Sequence, residues 1–334
     1  MNVWWLLIVV FICSWGMTLF LRRYALAVNL MDVPNKRSSH SIPTPRGGGV
    51  AIVASFLLIL PVIASLGLLS FSLLYAFLGA GLLVAIIGFA DDHVHIAAKW
   101  RLFGHFIAAG WVLFWLNGFP PIDMFGVIFD MGWFGDILAL VYLVWMLNLY
   151  NFMDGIDGLA SAEAISVCLG MCLVYWLCGG AELIWPPLIL AAAVAGFLWW
   201  NFPPARIFMG DAGSGFLGIV LGVIVLHAMR SNPDFFWSWL ILLGIFIVDA
   251  TWTLVRRLLG GEKVFQAHRS HGYQKVAARW GHLKVTCAVV ILNVAVLLPI
   301  SILVAMGRLD GALVVVVTYI VLACVAYLTR AGIR

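Results

Sequence analysis

Residues 71–92 read FSLLYAFLGAGLLVAIIGFADD, a run of 20 residues without a charge that closes on two adjacent aspartates. At 1.5 Å per residue, about 20 apolar residues in a helix match the ~30 Å hydrocarbon core of a bilayer. The run is continuous in Leu, Ala, Ile and Phe, whereas an outer-membrane barrel strand shows ~10 residues of strict alternation. The same pattern recurs toward both ends of the chain. Of 334 residues, 64% are hydrophobic and 10% charged, where an ordinary soluble domain has roughly 45–50% and about 25%. Eleven membrane-length segments are expected, near 3–20, 48–68, 71–89, 102–117, 133–149, 158–178, 183–201, 213–229, 235–254, 285–305 and 311–329. The fold class is therefore an all-α polytopic membrane protein, one domain over residues 1–334.

Charge placement orients the chain. The first segment is followed, not preceded, by Arg22 and Arg23, so it is no cleavable signal and its amino terminus is expected outside. The loops after segments one, three, five, seven and nine then share a face with the carboxy terminus. That face holds 17 of the 19 Lys and Arg residues, Lys36, Arg37, Lys263 and Arg334 among them, and leaves only Arg230 and Arg308 opposite. The positive-inside rule makes it cytoplasmic. The net charge of +4 is accounted for by topology, so no nucleic-acid partner is expected. The six cysteines lie inside apolar runs without a CxxC pair and read as small packing or lipid-facing residues.

The chemistry-bearing residues all fall in cytoplasmic loops or at the helix ends bordering them. They are Asp32, Asn35, His40 and TPRGGG (44–49); Asp91 and Asp92, followed by Lys99 and Arg101; NLYNFMDGIDGLA, with Asn148, Asn151, Asp154 and Asp157 three residues apart; NFPPARIFMGDAGSG, with Asn201, Phe208 and Asp211; and QAHRSHGYQK, with His268, Arg269 and His271. Aspartates at the ends of apolar helices are costly unless paired or metal-bound. Carboxylate and amide oxygens suit Mg²⁺ or Mn²⁺, and GDAGSG has the form of a helix start that lets a phosphate reach backbone N–H groups. Together with the basic side chains, these features point to a magnesium-bridged pyrophosphate and to phosphoryl transfer. Asp154 and Asp157 would share a helical face with Asn148 and Asn151 if the segment is helical. Asp91 and Asp92, about 100° apart on a helix, cannot easily share a role.

These motifs resemble the polyprenyl-phosphate N-acetylhexosamine-1-phosphate transferases that start O-antigen, common-antigen and teichoic-acid synthesis, relatives of the phospho-N-acetylmuramoyl-pentapeptide transferases. The likeness rests on DxPNxRxxH with PxxGG from Asp32 onward, the aspartate pair, NxxNxxDGxDGL (Asn148 to Leu159), NxxxxxxFMGDxGS (Asn201 to Ser214) and Arg269-x-His271. It implies transfer of a sugar 1-phosphate from a UDP-N-acetyl sugar to undecaprenyl phosphate, with release of UMP, in a bacterial inner membrane, and leaves room for a homodimer. It further implies that Asp211 and Asp154 hold Mg²⁺ and that Asp91 deprotonates or positions the lipid phosphate, Asp92 taking the complementary role. Asn148, Asn151 and Asp157 would line the nucleotide site, Asn201 and Phe208 the nucleoside pocket. Lys99 and Arg46 would contact phosphate, and His268, Arg269 and His271 would belong to the histidine-bearing last loop.

Two departures stand out. The peptidoglycan branch carries adjacent histidines in the last loop and the common-antigen enzymes an HxHH, where this chain has HRSH; and TPRGGG replaces TPTMGG. The first argues against the muramoyl-pentapeptide substrate. GlcNAc, GalNAc, FucNAc and QuiNAc stay open as the sugar. A flippase would place charge near the bilayer midplane in paired repeats, and neither is evident. The DGxxAR signature of CDP-alcohol phosphotransferases is absent. Asp249 reads as a hydrogen-bonded packing residue, with an intramembrane functional carboxylate as the alternative; Glu163 either lines the site or complements the start of its helix; His93, His95 and His105 read as loop or interfacial residues.

Overall fold

The computed structural model describes residues 3–34, 39–94, 96–262 and 268–333; Asn35, Lys36, Arg37, His95, Lys263 and Arg334 lie outside the described residues. The helices are α1 (Trp5–Ala27), α2 (Gly49–Ser65), α3 (Phe71–Val94), α4 (Ala98–Leu116), α5 (Gly132–Met153), α6 (Leu159–Leu177), α7 (Trp185–Asn201), α8 (Asp211–Ser231), α9 (Pro233–Leu242), α10 (Gly244–Leu259), α11 (Gly272–Trp280), α12 (His282–Leu292), α13 (Leu298–Ala305) and α14 (Gly311–Leu328). A π-helical turn, Asn293–Leu297, joins α12 to α13. Two small antiparallel hairpins interrupt the helices, β1 (Met31–Asp32) with β2 (Thr44–Pro45) and β3 (Ile122–Met124) with β4 (Val127–Phe129).

Each expected segment falls on helix, so the protein is an all-α polytopic membrane protein. By length and hydropathy, eight spans qualify among the described residues, or nine when α9 and α10, bent by 67° at Leu243, are taken as one. Of the other two expected segments, α2 is short at 17 residues and α4 carries Lys99 and Arg101 in its first turn. Helix ends overrun the expected limits: α1 continues past Arg22 and Arg23, and α3 past Asp91 and Asp92.

The core centres on α8, buried almost continuously from Ala212 to Met229 and packed against α2, α3, α5 and α9. Its first turn needs residues without side chains. A Cβ on Gly49 would stand 2.4 Å from the Gly213 Cα, and one on Gly88 would stand 2.5 Å from the Ala212 nitrogen. The starts of α2 and α8 and the end of α3 thus touch backbone to backbone, as small residues permit between helices in lipid. The glycines of TPRGGG and GDAGSG serve this packing, which brings three motifs distant in sequence to one level.

One expected pattern breaks. The stripe through Asn148 and Asn151 stops at Met153, because residues 154–158 form a non-helical turn in which Gly158 takes φ +72° before α6 begins. Asp154 and Asp157 therefore converge through a turn and not along one helical face.

Candidate active site

At this level the helix ends surround a cavity of about 650 Å³. Asp32, His40 and Arg46 line it from the first loop, Asp92 from α3, Asn151 from α5, and Asp154 and Asp157 from the turn after it. Asn201, Phe208, Asp211 and Ser214 come from the segment between α7 and α8, His268 and Gln274 from the last loop, and His282 from α12.

Of the five aspartates that line it, Asp92, Asp154, Asp157 and Asp211 come from the helix ends and the turn after α5, with unequal surroundings. Asp92 Oδ1 accepts the N–H of Asp211, the first residue of α8, at 3.4 Å, while its buried Oδ2 has no hydrogen-bond partner. The α8 start, expected to receive a phosphate, thus has this N–H taken by the Asp92 carboxylate, which complements the helix dipole as an anion should. Asp157 is tied on both oxygens, to His282 Nδ1 at 3.2 Å and to the Ala205 N–H at 3.1 Å. Burial pushes its carboxyl up, but the His282 and Ala205 hydrogen bonds outweigh burial and hold it below its ordinary value. Asp154 accepts no side-chain hydrogen bond among the described residues. Burial first, then the charges of Asp211, Asp92 and Asp157, push its carboxyl well above the usual range.

The remaining contacts are scaffolding. Asn201 accepts the Gly158 N–H and donates to the Ile207 carbonyl, both at 3.0 Å, clamping the DGIDG turn to the segment that carries Phe208. Asn151 donates to Ser214 Oγ at 3.0 Å, and Asn148 donates to the Val144 carbonyl of its own helix. Phe208 is held by a 2.8 Å bond from its N–H to the Pro45 carbonyl, with its ring 4.8 Å from that of His40. Arg46 donates to the Asp92 carbonyl. Tyr273 on α11 donates to the Phe152 carbonyl at 2.9 Å, and a Cβ on Gly155 would meet its hydroxyl at 2.2 Å.

The comparisons with known proteins fit this site. The family model for glycosyl transferase family 4 matches residues 73–229. The decaprenyl-phosphate N-acetylglucosaminephosphotransferase of Mycolicibacterium smegmatis is 30% identical, covering 79% of this chain and 73% of the relative. The chain belongs to glycosyl transferase family 4, among the polyprenyl-phosphate sugar-1-phosphate transferases. The probable undecaprenyl-phosphate N-acetylglucosaminyl 1-phosphate transferase of Bacillus subtilis is 29% identical, over 78% of this chain and 73% of its own. A phospho-N-acetylmuramoyl-pentapeptide-transferase, from Bacillus pumilus, is 28% identical over 80% of this chain and 85% of its own.

Of the residues expected from this family's motifs, Arg46, Asp92, Asn151, Asp154, Asp157, Asn201, Phe208, Asp211 and His268 line the cavity. Asp91 stands behind it, bonded to Arg101 and to the Ile96 N–H at 2.7 Å. Lys99 is exposed, its ammonium over the Trp100 ring at 5.5 Å, and Arg269 is exposed as well. His271 is buried beneath His268, the rings 4.9 Å apart, with Nδ1 3.2 Å from Asp249. Asp249 also accepts the Gly272 and Tyr273 N–H groups at 3.0 and 2.8 Å, so it caps α11 and anchors the last loop.

Arg101 and Gln274 fall within the quoted stretches without an assigned role, and His282 lies outside them. A basic residue in the first turn of an apolar helix, ten positions after Asp91, was the available signal for Arg101. For Gln274 and His282, which enter through tertiary packing of α11 and α12, no local signal exists. Among the described residues no three His, Cys, Asp or Glu side chains stand as a ready metal cage. The hard oxygens of Asp154 and Asp211, open to the cavity, nevertheless suit a magnesium ion that takes few protein ligands and completes its shell with water and phosphate oxygens.

Proposed function

We propose that this protein transfers an N-acetylated hexosamine 1-phosphate, 6-deoxy or not, from a UDP-sugar to undecaprenyl phosphate in the bacterial cytoplasmic membrane. UMP leaves, and the lipid-linked sugar begins an O-antigen or other cell-surface polysaccharide. The observation that carries this reading is the cavity itself: five aspartates, Arg46 and a half-exposed phenyl ring gathered at the ends of membrane helices, with Arg101 bonded to Asp211 from behind. The names of the relatives, two of them acting on polyprenyl phosphate with an N-acetylglucosaminyl donor, support it.

A lipid phosphate oxygen attacks the β-phosphorus of the UDP-sugar, the bond to the UMP oxygen breaks, and the new pyrophosphate stays on the lipid. Both reactants are anionic, so bringing them together is the main task, and no water need be activated. Asp154 and Asp211 would hold a magnesium ion, which when bound would neutralise charge on the pyrophosphate. Arg46 adds a cation from the opposite wall. Phe208 offers its face to the uracil ring, and the Asn201 clamp fixes the segment that carries it. His268, above the buried His271, borders the space left for the sugar. The second phosphate pKa is about 6, so the attacking phosphate is largely ionised at neutral pH and a proton-abstracting aspartate adds little.

The test is purified protein in detergent with undecaprenyl phosphate, Mg²⁺ and a panel of UDP-sugars, with UMP release measured. Turnover of at least one UDP-N-acetylhexosamine or 6-deoxy acetamido sugar is expected. Silence with all of them overturns the reading, and turnover of UDP-N-acetylmuramoyl-pentapeptide alone transfers the protein to the peptidoglycan branch.

A further inference from the structure

Arg101 occupies an unusual place for a residue in the first turn of an apolar helix. Its Nη1 contacts two carboxylates from two other helices, Asp91 Oδ2 and, at 3.2 Å, Asp211 Oδ2. The two acids differ. Asp91 is only 10% exposed and its second oxygen holds the Ile96 N–H, so it has no freedom to leave. Asp211 is 35% exposed, lines the cavity and shares only one oxygen with the guanidinium. The guanidinium itself is one-third exposed. The triad is thus a firm pair, Asp91 with Arg101, to which Asp211 is loosely attached from the cavity side.

An internal cation on a carboxylate that also faces the cavity competes with any other cation for that carboxylate. Without it, Asp211 would face Asp92 and Asp154 with no cation in contact with it among the described residues, Arg46 being held at the Asp92 carbonyl, an arrangement that repulsion makes costly. We propose that Arg101 is the resident counter-cation of Asp211, which it holds while the site is empty and releases when a divalent ion enters. Asp91 is then a positioning residue that keeps the released guanidinium at the site edge, where it can face the incoming phosphates. This deepens the reading under Proposed function and rests on it, since it requires that Asp211 bind a divalent ion.

The sign of the effect separates this role from a merely structural one. A counter-cation that competes must weaken divalent binding in the absence of donor, so its removal tightens binding; a residue that only shapes the site loosens binding when removed. The experiment is Mn²⁺ binding to the full-length protein in detergent, followed by electron paramagnetic resonance without any nucleotide sugar. Wild type, Arg101→Gln, Arg101→Lys and Asp211→Asn are compared, with thermal unfolding as the folding control. Arg101→Gln is expected to bind Mn²⁺ about two- to fivefold more tightly than wild type, the range set by a partly exposed ion pair. Arg101→Lys, which keeps the charge without the fork, should fall between. Should Arg101→Gln unfold, the Arg101→Lys comparison with wild type carries the same sign test.

Equal or weaker Mn²⁺ binding in the Arg101 variants, with wild-type binding abolished by Asp211→Asn, overturns the exchange while leaving the proposed function standing. Absence of any Asp211-dependent Mn²⁺ binding in the wild type overturns the metal assignment beneath it, and the exchange with it.

Discussion

Asp91 and Asp92 are adjacent, yet they meet different partners because successive helical positions diverge by about 100°. Asp92 turns to the cavity and the α8 start; Asp91 turns to Arg101 and Ile96. The division of roles was legible in the sequence, but its assignment was not, since which residue faces the site depends on how α3 rotates against α8. The same limit explains Lys99 and Arg101, two positions apart in one motif, of which only Arg101 reaches the carboxylates. Asp211→Asn is expected to lower kcat about a hundredfold or more, as removal of a charge-stabilising group at a reacting centre does. Asp91→Asn, acting one shell out, should cost about tenfold. Equal residual activities in the UMP assay, with both variants folded, would remove that ordering. At Asp157 the folded carboxyl lies below its ordinary value of 3.8. A depressed carboxyl contributes stability that is present above the unfolded pKa and lost as pH falls through the folded one. The melting temperature of Asp157→Asn in detergent should therefore lie below that of wild type at pH 7, with the gap closing as pH drops below about 4. A gap independent of pH would assign the loss to packing.

Among the elements, the π-helical turn between α12 and α13 carries a buried side-chain pair to another helix. Asn293, its first residue, is buried and donates to Glu163 Oε2 on α6 at 2.6 Å and to Ser166 Oγ at 3.0 Å. Glu163 Oε1 and Asn293 Oδ1 are both buried and without a partner among the described residues. A carboxylic acid that keeps its proton exchanges two hydrogen bonds with a primary amide, and these are the two atoms that the second bond would join. The sequence held a Glu inside a span without indicating its partner, because Asn293 lies 130 positions away and a π turn has no compositional mark. Glu163→Gln, which brings an N–H to the orphaned oxygen, is expected to leave the melting temperature unchanged or raise it. Glu163→Ala strands the amide and should cost about 1–3 kcal/mol. A glutamine variant as unstable as the alanine one would show that the carboxyl is needed in its charged form.

At the scale of the whole molecule, the existence and order of the helices were readable because a bilayer imposes length and hydropathy on each span, a constraint carried by every segment separately. What escaped were features set by the packing between segments: the 67° bend between α9 and α10, the amphipathic α11, and the turn that breaks the helix after Met153. Sidedness rests on charge, and the structure supplies an internal check. Arg22 Nε donates to the Arg206 carbonyl at 3.2 Å, joining two loops assigned to the basic face, while Arg230 reaches the Asn117 and Gly118 carbonyls at the other end of the bundle. The cavity, walled by Arg46 and flanked by Arg101, belongs to the first end. With the six native cysteines replaced, single cysteines at the exposed positions Asp130 and Arg308 should react with a membrane-impermeant maleimide in intact cells. Cysteines at the exposed Arg206 and Arg279 should react only after permeabilisation. The reverse pattern would put the cavity outside, away from the cytoplasmic donor that the proposed function requires. Reaction at all four positions in intact cells would mean that the bundle does not seal the two faces from each other.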